Sequence, residues 1–309
     1  MVKIKKIHFQ NFEWIDIVDP TQQDMEELQQ NYNFHILDIK ECLHFSKRSK
    51  VDIYNDYAFL ILHFPIFNRV NRQIASGQIK FFISKNILVT IHNQEFPTLH
   101  ELRKLFEVAS DIRKKFNQGS PERLMCEVLN RLFMYCFPMI DHLIEDCDAI
   151  DSKIFSGKEN GLISQILLIR RNITDFRKIM QVHKNITKKI SGYFKESPIF
   201  VMKQQDNYFE ILVDYSKEIW DTLENLKERI EALQDSNESQ ISFKLSNIMK
   251  TLTIISVFTF PLTLFATIFS MSPPGMPFIN SPYGFWVVIL LMGIILLSML
   301  MIFKRKRWF

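Results

Sequence analysis

The sequence predicts an α+β domain on the cytosolic side, then a long stalk helix and two C-terminal transmembrane helices. Three observations predict it. Residues 251–303 contain no Asp, Glu, Lys, Arg or His, and Pro273, Pro274, Gly275 and Pro277 split this run in two. Upstream, from Leu124 to Leu233, apolar residues recur every three or four positions, the period of an amphipathic helix. The first 120 residues instead mix short β-branched and aromatic runs with helical patterns.

Composition excludes several classes. The chain has 309 residues, 47% apolar and 23% charged, which fits a folded chain rather than a disordered or collagenous one. Cys42, Cys126, Cys136 and Cys147 form no CxxC pair, so neither a zinc ribbon nor a thioredoxin-type site is expected. The net charge is +4, and Lys304, Arg305, Lys306 and Arg307 account for all of it. A nucleic-acid partner is not expected, because the basic excess sits at one end instead of over a face. No GxSxG, P-loop or HExxH motif is present, and no enzyme or catalytic cofactor is expected.

Within residues 1–120, strands are expected at 51–54, 57–64, 78–84 and 87–91, with turn dipeptides Asn55-Asp56 and Lys85-Asn86 between them. The sheet should be at least partly antiparallel. Thr21 is the expected N-cap of a helix, with Asp24 three residues on. Further helices are expected at 36–43 and 98–116. Residues 121–200 read as an antiparallel helical pair: one arm through Ile154, a turn at 157–161, a second arm from 162 to about 190, and a break at 192–198.

Asp141, His142, Glu145, Asp146, Asp148 and Asp151 cluster on the first arm, with His142 and Asp146 at a metal-ligand spacing. The plainer reading is a solvated acidic face balanced by Arg170, Arg171, Lys178 and Lys184 of the next arm.

Residues 201–250 are expected to form the stalk helix. Its seam is Tyr208, Leu212, Tyr215, Ile219, Leu223, Leu226, Ile230 and Leu233, and the polar run 235–240 holds no Pro or Gly to end it. The helix should continue into the span at 251–270, giving about 100 Å from residue 203 onward. A seam that long needs partner helices, most simply copies of itself. A loop at 271–282, a second span at 283–303 and a basic tail at 304–309 follow. Each span, at about 20 residues, covers roughly 30 Å of hydrocarbon. Lys244 and Lys250 precede the first span and the basic tail follows the second, so both termini are expected in the cytoplasm.

Met249, Leu252, Ser256, Phe260, Thr263, Thr267 and Ser270 fall on one face of the first span, and four of the seven bear hydroxyls. Such a stripe suits a pore wall or close helix packing. Periodicity does not separate the two.

These residues resemble a known family. Residues 14–21, WIDIVDPT, and Leu88-Val89-Thr90-Ile91 look like the cytosolic domain of CorA-type divalent-metal transporters. Residues 249–255, MKTLTII, followed by Pro261-Leu262-Thr263, are similar to that family's first membrane helix. The resemblance implies a homopentameric funnel in the plasma (inner) membrane, with the first spans around an axial pore. It implies transport of a divalent cation, most simply Mg²⁺, with zinc or cobalt transport, or a non-conducting pentameric scaffold, as alternatives. The family's Gly-Met-Asn at the outer mouth is replaced here by Ser270-Met271-Ser272. Its inner-mouth asparagine position holds Ser246, with Asn247 beside it. Of the carboxylates that sense Mg²⁺ in the family, Asp214 falls on a matching position. Ile211 stands where another acid is expected, and Asp206 and Glu210 lie nearby without matching.

Overall fold

A computed structural model describes residues 4–94, 96–108, 116, 119–156, 161–197, 200, 208–271 and 283–305. They divide into two compact units, Met1–Asp235 and Ser236–Phe309.

The first unit is built on a six-stranded sheet: β1 (Ile4–His8), β2 (Glu13–Val18), β3 (Lys50–Ile53), β4 (Tyr57–Asn68), β5 (Gln73–Ser84) and β6 (Ile87–His92). Their order is β1-β2-β6-β5-β4-β3, with β2 and β6 parallel and every other pair antiparallel. Helices cover both faces, so β4 reads as a continuous apolar run with no alternation. Tyr57, Phe59 and Ile61 face one layer, with α1 (Gln22–Tyr32) and α2 (Ile36–Cys42). Ala58, Leu60, Leu62 and Phe64 face the other. Thr21 caps α1 in a full capping box, its Oγ1 accepting from Asp24 N at 3.3 Å and its N donating to Asp24 Oδ2 at 2.8 Å.

β1 and β2 were not among the expected strands. Asp16 interrupts the apolar pattern of β2, yet it is only 1% exposed. Its carboxylate accepts from the Thr90 hydroxyl and the Arg103 guanidinium, and His92 Nε2 lies 3.2 Å away. Trp14 Nε1 extends the network by donating to Thr90 Oγ1 at 3.0 Å. Burial alone would push the Asp16 carboxyl up, but the His92 hydrogen bond and the charges of His92 and Arg103 hold it below the usual range. In β1 the lysines Lys5 and Lys6 mark an edge strand.

The second layer holds α3 (Pro97–Val108), α4 (Pro121–Met134), α5 (Cys136–Phe155), α6 (Leu162–Met180), α7 (His183–Glu196) and the start of α8 (Tyr208–Ser270). Sheet and helices share one core, running from Ile7 to Leu233. Each expected arm is interrupted once. The first breaks at Tyr135 because Pro138 has no N–H for the carbonyl of Met134. The second breaks at Gln181 and Val182, where no Pro or Gly signals it, and Met180 and His183 on either side are both buried. Gly192 does not stop α7, which runs on to Glu196; the helix tolerates its cost of about 1 kcal/mol. Pro198, most of the 157–161 turn and residues 201–207 lie outside the described residues.

The seam of α8 is covered by its own chain. Leu212, Ile219, Leu223, Leu226, Ile230 and Leu233 are buried, while Tyr208 is exposed and Tyr215 half-buried. Partner copies are therefore not what buries this half of the stalk. The acidic face of α5 also finds its cation elsewhere than expected: Asp148 pairs with Arg229 of α8. Arg170 reaches Glu231 of α8 at 3.9 Å, Arg171 reaches Asp175 at 3.7 Å, and Arg177 pairs with Glu224 while lying over the Trp220 ring. The four cysteines are buried and free, and burial pushes the Cys42 thiol up to about 12.

Candidate ion pathway

Helix α8 continues through the polar run 235–240 and through Pro261 to Ser270, 63 residues in all. α9 (Gly284–Arg305) follows. Both are long and apolar enough to cross a membrane, with mean hydropathy of 2.0 and 2.9 over their most apolar stretches.

In the second unit α8 presents two different faces. Ile254, Val257, Phe258, Pro261, Leu262, Phe265 and Phe269 are half-buried, and the Phe258 ring meets Phe303 of α9 at 5.2 Å. Met249, Leu252, Ser256, Phe260, Thr263, Thr267 and Ser270 are all exposed, Phe260 at 78%. Ser246 and Asn247 at the inner end are exposed as well, as is Met271 at the outer end.

Three of the four hydroxyls on that exposed face are oriented by the helix itself. Ser256 donates to Leu252 O at 2.9 Å, Thr263 to Thr259 O at 2.9 Å and Thr267 to Leu264 O at 2.8 Å. Each O–H is thus satisfied internally, and each oxygen keeps lone pairs facing outward. These three outward acceptors suit water molecules that point their hydrogens away from a cation.

Ser272, Asp206, Lys306 and Arg307 lie outside the described residues, as does the loop at 272–282. Lys304 and Arg305 are exposed in the last turn of α9, where they complement the helix dipole. Tyr283, Phe285 and Trp286 are exposed at its other end. The sequence reading passed over this aromatic group, although Tyr and Trp beside an apolar span signal a membrane interface. It also passed over the Arg177–Glu224 and Arg229–Asp148 pairs, which join residues 47 and 81 positions apart.

Asp214 is exposed, and Glu210 is engaged by Lys195 Nζ at 3.0 Å. Among the described residues no three His, Cys, Asp or Glu side chains gather as a metal site. Asp214 and Glu210 belong to no such group among the described residues, and Asp206 lies outside them. His142 is exposed beside Glu145, at 3.3 Å, and forms no ligand group with Asp146.

The architecture is shared with solved proteins. The complete structure of the CorA magnesium transporter from Methanocaldococcus jannaschii superposes with a TM-score of 0.82 at 22% identity, covering 98% of this chain and 94% of that one. The full-length CmaX protein superposes at 0.73 with 16% identity, covering 96% and 89%. In sequence, the chain is 23% identical over 303 residues to the cobalt/magnesium transport protein CorA of Thermotoga maritima, covering 96% of this chain and 83% of that one. A family model described as CorA-like Mg2+ transporter protein matches residues 9–305, and the chain belongs to that family.

Proposed function

We propose that the chain is a divalent-cation channel or transporter of the inner membrane, working as a homopentamer and importing Mg²⁺. The observation that carries this reading is the exposed, hydroxyl-bearing face of α8 on a helix continuous with the stalk. Five such faces around an axis would line a pore with oxygen acceptors and apolar layers, while α9 lies outside. Mg²⁺ gives up its hydration shell reluctantly, so acceptors for water hydrogens suit it better than a bare coordination cage. Family membership and relatives named as magnesium or cobalt/magnesium transporters support the same ion class.

An oligomer is supported by what the chain leaves uncovered. Ile241, Leu245, Ile248, Leu252 and Ile255 keep a helical seam along α8 after Leu233, and all five are exposed. A continuous exposed apolar seam calls for partner helices or lipid. The basic end of α9, with Lys244 and Lys250 before the first span, supports cytoplasmic termini. Asp214 is exposed on the stalk, which supports a role in Mg²⁺ sensing together with carboxylates of a neighbouring copy.

The test is flux into liposomes holding the purified chain, with Mg²⁺, Co²⁺ and Zn²⁺ offered separately, beside its mass in detergent. A pentamer passing Mg²⁺ is the expected result. Preference for Zn²⁺ would reassign the ion, and an intact pentamer passing none would make the chain a scaffold. A monomer or dimer with full transport would overturn the pore.

A further inference from the structure

A cavity of about 790 Å³ opens in the first unit between the β4–β5 turn and helices α5 and α6. None of its lining residues belongs to the pathway above. That volume lies in the range of small-molecule sites, roughly 300–1,000 Å³. Its lining joins three kinds of chemistry. Arg69 and Arg72 come from the turn, and neither is in an ion pair among the described residues. Phe67 and Tyr135 supply aromatic faces. Glu145 and Asp146 supply carboxylates from α5.

The turn is held in place by the chain itself. Asn172 of α6 is 5% exposed; its Oδ1 accepts from Ile74 N at 3.1 Å and its Nδ2 donates to Arg72 O at 2.9 Å. Arg72 itself has φ 55°, the left-handed region that Gly or Asn occupies at lower cost. An arginine there is not explained by the turn, and Arg72 is one of the residues that line the cavity. Lys153 adds a cation on the α5 side, its Nζ donating to Gln165 Oε1 at 2.8 Å.

We infer that this cavity binds a nucleotide whose base carries an amino group. Guanidinium groups donate to phosphate oxygens in charge-assisted pairs. Aromatic rings accept a base by stacking. Carboxylates accept hydrogen bonds from an exocyclic amine of the base. A free phosphate leaves the aromatic and acidic groups unused, and an apolar ligand leaves the arginines unused.

Binding to the full chain in detergent is measured by calorimetry with AMP, UMP and inorganic phosphate, in chelator so that no metal contributes. AMP should bind more tightly than UMP, and both more tightly than phosphate. Arg72→Gly removes the guanidinium while suiting the positive φ, so it should keep the melting temperature and weaken AMP binding roughly tenfold to a hundredfold. Ala149→Trp, placed on the exposed lining of α5, should block the cavity and abolish binding. Absence of AMP binding to the unaltered chain overturns the inference. So does phosphate binding as tightly as AMP, or AMP binding unchanged in both variants. The readout is independent of ion flux, so its failure would leave the transport reading intact.

Discussion

Acidification is expected to destabilise the first unit through one residue, His183. Its imidazole is fully buried, flanked edge-on by Phe64 at 4.8 Å and Phe133 at 5.7 Å, and neither ring nitrogen has a hydrogen-bond partner. Burial first, and then the charge of His63, bring its pKa down to about 4. Nearby carbonyls of Ile179, Met180 and His63 favour the charged form without reversing this. In the unfolded chain the same group titrates near 6.5. The unfolded state therefore binds the proton more strongly, and the contribution present above pH about 6.5 is lost as pH falls toward 4. Between pH 7 and 5 the linkage relation puts the loss at about 2 kcal/mol. For a unit of this size that corresponds to a fall in Tm of roughly 4–8 °C. His63, lowered by burial and by Lys80 against the Ser46 carbonyl, adds a loss of the same sign. The informative quantity is thus the difference from His183→Leu, which removes the titration and, having no hydrogen bond to break, is near neutral at pH 7. Thermal unfolding of the full chain, followed by tryptophan fluorescence at both pH values, should show a variant that loses several degrees less than the parent. Equal losses in the two proteins would refute the assignment.

Asp16→Asn should cost about 3–5 kcal/mol, because it removes the carboxylate charge from the buried Asp16–Arg103 pair; the midpoint of denaturant unfolding measures it, and adding Arg103→Met should recover part of the loss. Since the Asp16 carboxyl is held low, that contribution is present above pH about 3.8 and lost only below it. Single cysteines at Leu252, Ser256, Phe260 and Thr263 should cross-link between protomers, whereas those at Ile254, Val257 and Phe265 should not; the reverse pattern would move the pore to the other face. Converting Ser270 to Gly and Ser272 to Asn together should tighten Mg²⁺ binding and raise flux, because serine is shorter than asparagine and the loop at 271–282 has no carboxylate to draw cations in. No change in either quantity would place selectivity elsewhere on the stripe.

Much of the architecture was legible because its signals are local. Residues 251–303 lack charge over a length that matches a bilayer twice, so two apolar helices follow from solvation alone. The capping box at Thr21 and the apolar run of β4 are likewise written in neighbouring residues. The continuity of α8 through 235–240 follows from the absence of a breaker there. The hydroxyl stripe was legible as a face by its 3.6-residue period, but the same pattern suits helix packing. Within one chain the structure exposes that face, while the Phe258 ring meets Phe303.

What tertiary structure alone decided are the pairings between distant residues. Asp16 meets Arg103 across 87 positions, Arg177 meets Glu224 across 47, and Asn172 holds the β4–β5 turn across about a hundred. Sequence places such groups on a face by its period, and the face is where that information ends. Which charge answers a buried carboxylate, or which helix covers the stalk seam, depends on how the layers close on one another. The sequence determined the helices and their apolar faces because hydrophobic burial and backbone hydrogen bonding act at short range. The partners of the stalk and of Asp16 were decided by packing, because desolvated polar groups need one specific geometry, and that geometry exists only in the folded chain.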